Sequence, residues 1–165
     1  MWLHSGSLLP LSALGSLGVA ATTLAVLPHL PSPRAIRWAY PLSAAGAAGA
    51  ILSSILWIRN LAIPVDIPAS TERFSVLLRT SSLTAWWFLA LSVLLWMGVV
   101  LIGYSTPLAS ERLRRFFLLL LSGIGALSLA GSGHLLVAVV AWQLVCLPLT
   151  LASAQSKPAV GAARS

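Results

Sequence analysis

Five stretches of this chain run without a single charged residue. Each is close to the roughly 20 residues a helix needs to cross ~30 Å of hydrocarbon. They cover about Leu8 to Leu27, Trp38 to Ile58, Ser82 to Tyr104, Phe116 to Ser132 and Leu135 to Ala154. The runs are continuous and do not alternate between apolar and polar positions, which favours helices over a β-barrel. Composition agrees: 58% of the 165 residues are hydrophobic and 8% charged, against about a quarter charged in soluble domains. A fold of this size leaves too much surface wet to hide so much apolar area from water. The expected class is therefore an all-α integral membrane protein with about five transmembrane helices. These form a single domain over 1–155, followed by a tail over 156–165.

The formal charge of +7 would suggest nucleic acid in a soluble protein. Here the basic residues occupy the gaps between apolar runs, where they report topology and imply no nucleic-acid partner. Arg34, Arg37, Arg112, Arg114, Arg115, Lys157 and Arg164 fall on one side, and Arg59, Arg73 and Arg79 on the other. Seven against three places the N-terminus outside and the tail in the cytoplasm, in a multi-pass arrangement. "MWLHSGSLLP" carries no Lys or Arg ahead of its apolar stretch, so a cleaved signal peptide is not expected. The gap from Arg59 to Ser81 has mixed charge and is broken by Pro64 and Pro68. Its "STER", with Ser70 or Thr71 as cap and Glu72 in the first turn, reads as an interfacial helical lead-in to the third span.

Within the second span, "SAAGAAGA" sets Gly46 and Gly49 among alanines and Ser43. Small residues let helix backbones approach closely where lipid removes the hydrophobic drive, so these glycines are read as helix-packing positions. Gly15 and Gly18 form a weaker version in the first span. Trp38, Trp57, Trp86 and Trp87 lie near span ends, as an interfacial belt requires. Trp96 and Trp142 lie deeper, where an indole N–H seeks a partner, so they are expected to face protein.

Little here supports catalysis. The only acids, Asp66, Glu72 and Glu111, all lie in gaps, and His4, His29 and His134 are scattered over different ends. One cysteine, Cys146, excludes an internal disulfide and a cysteine-built metal site. No cofactor or metal is expected. The residue that stands out is Gln143, an amide within "AVVAWQLVCLPLTLA", five positions before Pro148. Polar groups at membrane depth are costly and face a bundle interior or a wet cavity. Gln143 therefore reads either as one partner in an interhelical hydrogen bond, worth about 0.6–2 kcal/mol, or as part of a hydrated polar axis.

The second half carries a likeness. "WQLVCLPLTL" at 142–151 resembles the fifth helix of the antiporter-like membrane subunits of respiratory complex I, of Mrp cation/proton antiporters, of energy-converting hydrogenases and of DAB inorganic-carbon uptake complexes. "ERFSVLL" at 72–78, "LIGY" at 101–104, "RRFFLLLLSGIGALSLAGSGHLL" at 114–136 and "SKPAVGAARS" at 156–165 are similar, in order, to the segments around that family's third to fifth helices. "LLPLSALGSLGVA" resembles its start more weakly. The resemblance implies a bacterial inner-membrane subunit of a larger ion-translocating complex, respiratory or for inorganic-carbon uptake. It makes Gln143, with Trp142, the ion-pathway candidate. Two departures bear on this. Where the family has a glutamate that pairs with a lysine on a later helix, this chain has an amide, which cannot supply a charge. The family has about fourteen helices, so the likeness implies a truncated or split subunit, with another chain supplying the remaining helices. The alternative is a structural accessory subunit with no transport role of its own.

Overall fold

The computed structural model describes residues 9–29, 35–61, 82–106 and 109–155. Five α-helices make up these residues: α1 (Leu9–Val26), α2 (Ala39–Leu61), α3 (Ser82–Ser105), α4 (Ala109–Gly131) and α5 (Leu135–Gln155). Two short 3₁₀ turns, Leu27–His29 and Ala35–Trp38, lie between α1 and α2. Segments Leu9–Val26, Ala39–Asn60, Ser82–Ser105 and Glu111–Gly131 are long and apolar enough to cross a membrane. In α5 the apolar stretch Leu135–Pro148 is shorter, within a helix of 21 residues. The expected lead-in around Glu72 and the tail over 156–165 lie outside the described residues.

The helices start and stop for local reasons. Pro10 and Pro41 fall in the first turns of α1 and α2, where the missing N–H is an unpaired one in any case. At the end of α3 the Thr106 N–H donates to the Ile102 carbonyl at 3.2 Å. The Thr106 carbonyl in turn accepts from Arg112 Nε at 2.9 Å and Arg112 Nη2 at 2.5 Å. An orphan carbonyl of one helix is thus satisfied by a side chain of the next, which closes a tight α3–α4 corner. The expected fourth span, from Phe116, begins seven residues earlier, at Ala109. Glu111, Arg112, Arg114 and Arg115 belong to its first two turns, because charged side chains that reach the interface are good helix formers. At the next corner the Leu136 N–H donates to His134 Nδ1 at 3.3 Å, so that histidine caps α5.

Helices α1 to α4 form a ring in which each neighbour runs antiparallel to the next. Ser12 Oγ donates to Ser53 Oγ at 3.0 Å, and four residues on Ser16 Oγ donates to the Gly46 carbonyl at 3.2 Å. Residue numbers thus rise along α1 as they fall along α2. The buried positions recur every three or four residues: Ala13, Leu17, Ala20 and Leu24 on α1; Ala39, Ser43, Ala47, Ala50, Ser54 and Trp57 on α2; Ala85, Phe88, Ser92, Leu95 and Val99 on α3; Leu113, Phe116, Leu120, Gly123 and Leu127 on α4. This is the seam spacing of helices packed in the 3–4 manner of four-helix bundles. On α2 the middle of this seam is alanine, serine and glycine, and Leu17, Leu95, Val99 and Leu120 pack in from the other helices. Ser43 and Ser54 hide their hydroxyls by donating to Ala39 and Ala50 carbonyls. Aromatic rings occupy the two ends, Trp57 edge-on to Phe88 at 5.2 Å and Tyr40 tilted against Phe116 at 6.1 Å.

The tryptophans sort differently from expectation. Trp38, Trp86 and Trp87 are exposed, whereas Trp57 is 2% exposed, because its ring seals the bundle end against Phe88. Trp96 is 41% and Trp142 56% exposed, so neither is enclosed by this chain's own helices. A Cβ at Gly46 would lie 2.6 Å from Ala20 Cβ and 3.2 Å from the Ser16 carbonyl oxygen, and one at Gly49 would lie 3.0 Å from Ser16 Cβ. Gly15 and Gly18 meet nothing within 4 Å. Gly46→Leu is therefore expected to lower unfolding stability by about 1–3 kcal/mol through overpacking. Gly15→Leu should leave stability unchanged or raise it. Denaturant titration of both variants in detergent checks the contrast.

Candidate functional site: the outer face of the fifth helix

Helix α5 stands outside the ring and packs chiefly along α4. The approach is made possible by Gly125, where a Cβ would lie 2.9 Å from each of the Ala141 carbonyl oxygen, Leu144 Cβ and the Val145 nitrogen. Two of those three atoms are backbone, so any side chain there would have to push the whole helix away. Gly123, two positions earlier, meets Leu95 of α3 at 2.6 Å in the same construction. Two residues turn a helix by about 200°. The pair Gly123 and Gly125 therefore opens α4 on opposite sides, one toward the ring and one toward α5. The spacing of two in "GIG", and the turn of about 200° it implies, is the sequence signal for this role.

The side of α5 that meets α4 carries Ala141 and Pro148, both buried. Pro148 has no N–H to donate to Leu144, a loss tolerated where a neighbouring helix covers that part of the backbone. The opposite side is open: Leu135 is 80% exposed, Leu136 66%, Val140 54%, Trp142 56% and Leu147 53%. Gln143 belongs to this open side. It lies eight residues beyond Leu135, roughly 12 Å along the axis and near the middle of the helix. Among the described residues nothing hydrogen-bonds to its amide. The structure thus brings Gln143 and Trp142 together on one exposed face and places no side chain of the ring over them.

Chemically, an amide offers two donors and a carbonyl acceptor without charge. It can hold water or pair with a polar group of a neighbouring helix, and it cannot itself exchange a proton at neutral pH. Within the ring the buried polar residues are Ser43, Ser54, Thr84, Ser92 and Thr106. Ser92, a residue the sequence did not single out, is fully buried at the centre of α3 with no partner for its hydroxyl. Among the described residues no group of three or more His, Cys, Asp or Glu is placed to hold a metal ion. The described charged side chains sit near helix ends, Arg37 just before α2 and Arg59 in its last turn, and Glu111, Arg112, Arg114 and Arg115 at the start of α4; His134 lies in the α4–α5 turn, and the free thiol of Cys146 lies within α5.

No family model, curated protein or solved structure matches the chain.

Because Gln143 makes no hydrogen bond among the described residues, Gln143→Leu should change the stability of the isolated protein by less than about 0.5 kcal/mol, as substitutions away from packed features do. Gly125→Val should detach α5 and cost about 1–3 kcal/mol. A loss above about 1 kcal/mol for Gln143→Leu in a denaturant titration would show an intrachain partner for the amide.

Proposed function

We propose that this chain is a membrane subunit of a larger ion-translocating complex, built on the antiporter-like pattern, in which the outer face of α5 is completed by another polypeptide. The observation that carries this reading is the placement of Gln143. An amide held at mid-helix against hydrocarbon with no partner costs several kcal/mol. A neighbouring chain that offers a polar group or a hydrated gap removes that cost. The family likeness of "WQLVCLPLTL" supplies the expected identity of such a neighbour, a chain with the later helices of the scaffold and a lysine facing this position. In this reading the protein lies in a bacterial inner membrane with its N-terminus outside. Gln143 and Trp142 then line one wall of a proton path whose ionisable groups all belong to the partner. The ring contributes rigidity, its interior being closely packed without a charged group among the described residues.

A second reading, a purely structural accessory subunit, draws on the neighbours of Gln143. Leu136, Val139, Val140 and Leu147 on the same face are apolar, as an ordinary packing interface would be. The two readings diverge on substitution. If Gln143 lines the path, Gln143→Glu alters the pH dependence of ion translocation by the intact complex. Gln143→Leu then lowers flux, because the wall loses its polar group. A structural role leaves flux unchanged in both variants, and Gln143→Leu weakens subunit association by about three- to thirtyfold at most, the equivalent of one interhelical hydrogen bond. The shared premise is checked by placing a photo-crosslinking side chain at position 143 of the full chain in its native membrane. A crosslink to a second, multi-spanning polypeptide is expected, and lipid adducts alone would overturn both readings.

A further inference from the structure

The arginine-rich end of the bundle has a composition and a geometry that the packing of α5 does not explain. Arg112 is engaged with the Thr106 carbonyl. Arg115 pairs with Glu111, which is the only acid among the described residues, and its Nη1 reaches Thr106 Oγ1 at 3.4 Å. Arg37 and Arg114 are exposed, and no ion pair within the described residues neutralises either one. They share one end of the molecule because the Ala35–Trp38 turn packs against α4. Beside them stands an aromatic shelf. Tyr40 is fixed by its ring contact with Phe116 and by its closeness to Gly103, while Trp38 is 63% and Tyr104 87% exposed. Guanidinium groups, which present forked N–H donors matched to phosphate oxygens, thus sit at the level where exposed Trp and Tyr rings mark the boundary between acyl chains and headgroups.

We infer that this end is a docking site for the headgroup of an anionic phospholipid, with Arg37 and Arg114 holding the phosphate and Trp38, Tyr40 and Tyr104 lying along the glycerol and upper acyl region. Charge complementarity selects this occupant. A zwitterionic headgroup brings its own cation and gains little from two unpaired guanidiniums, whereas a net negative one is attracted with about fivefold in affinity for each arginine near the surface. The aromatic shelf favours a molecule with an apolar body over a soluble anion. This inference is independent of any partner at α5, which lies on a different side of α4.

The test is native mass spectrometry of the delipidated full-length chain, mixed with equimolar dioleoyl phosphatidylglycerol and dioleoyl phosphatidylcholine. Preferential retention of phosphatidylglycerol is expected, resistant to added inorganic phosphate and reduced by raised ionic strength. Arg37→Gln with Arg114→Gln should remove the preference, a loss of about twenty-fivefold at the upper limit. Arg37→Lys with Arg114→Lys should keep most of it, and Arg59→Gln at the opposite end should leave it intact. Circular dichroism of each variant confirms that the helices remain. Equal retention of the two lipids by the unsubstituted chain would overturn the inference and assign the arginines to an acidic protein surface. Displacement by inorganic phosphate, or an equal loss in Arg59→Gln, would also overturn it.

Discussion

Close backbone approach holds this bundle together. In lipid, burying a leucine between helices gains little, since acyl chains are as apolar as the protein interior, and helices associate through dense contact and interhelical hydrogen bonds instead. The chain meets that requirement by placing small residues on the α2 seam, against which larger side chains of the other helices pack. Gly46 and Gly49 admit Ser16 and Ala20 of α1, and the Ser16 hydroxyl then reaches the Gly46 carbonyl. Alanines and serines line the rest of the α2 seam, Leu17, Leu24, Leu95, Val99, Leu120 and Leu127 fill it from the other helices, and three of the tryptophan indoles at the span ends point away from it. The rings at the two ends, Trp57 on Phe88 and Tyr40 on Phe116, fill the space where the helices have room for larger side chains.

The same device creates the functional asymmetry of the molecule. Helix α4 has a glycine facing the ring and another facing away from it, so it can close the bundle and still accept α5 at short range. The fifth helix is thereby attached along one side only. Its other side, with an uncharged amide at mid-helix among apolar neighbours, is left as an edge. An edge of this kind matters in a membrane because an unpaired polar group has no water to turn to. The proposed role follows from that constraint and not from any catalytic group, since the described charged side chains lie near helix ends.

The sequence made the helices legible and their faces largely illegible. Long charge-free runs mark spans because hydrocarbon excludes charge. A lipid-facing position and a buried one are equally apolar, however, so hydropathy does not separate them. What separates them here is size, with Ala, Ser and Gly recurring at three- and four-residue steps on α2, and that pattern is hidden by the overall abundance of alanine. The same gap explains the tryptophans. Trp57 is near a span end, as belt residues are, yet is buried by its ring partner. Trp142 is deep, as protein-facing indoles are, yet is exposed. The charge-free run from Phe116 does not mark the start of α4, because charge marks where lipid ends, while the helix itself extends back through Arg115 to Ala109. Gln143 was recognisable as an anomaly from its type alone, and its direction required the α4–α5 packing.

The central claim is that another polypeptide covers the open side of α5. Extraction of the native complex into lipid nanodiscs without detergent, followed by electron cryomicroscopy, tests this most directly. The account predicts a helix of a second chain about 8–10 Å from the axis of α5, with a polar atom or an ordered water at hydrogen-bond distance from the Gln143 amide. Continuous acyl-chain density along Leu136, Val140, Gln143 and Leu147, with no protein beyond it, would contradict the account.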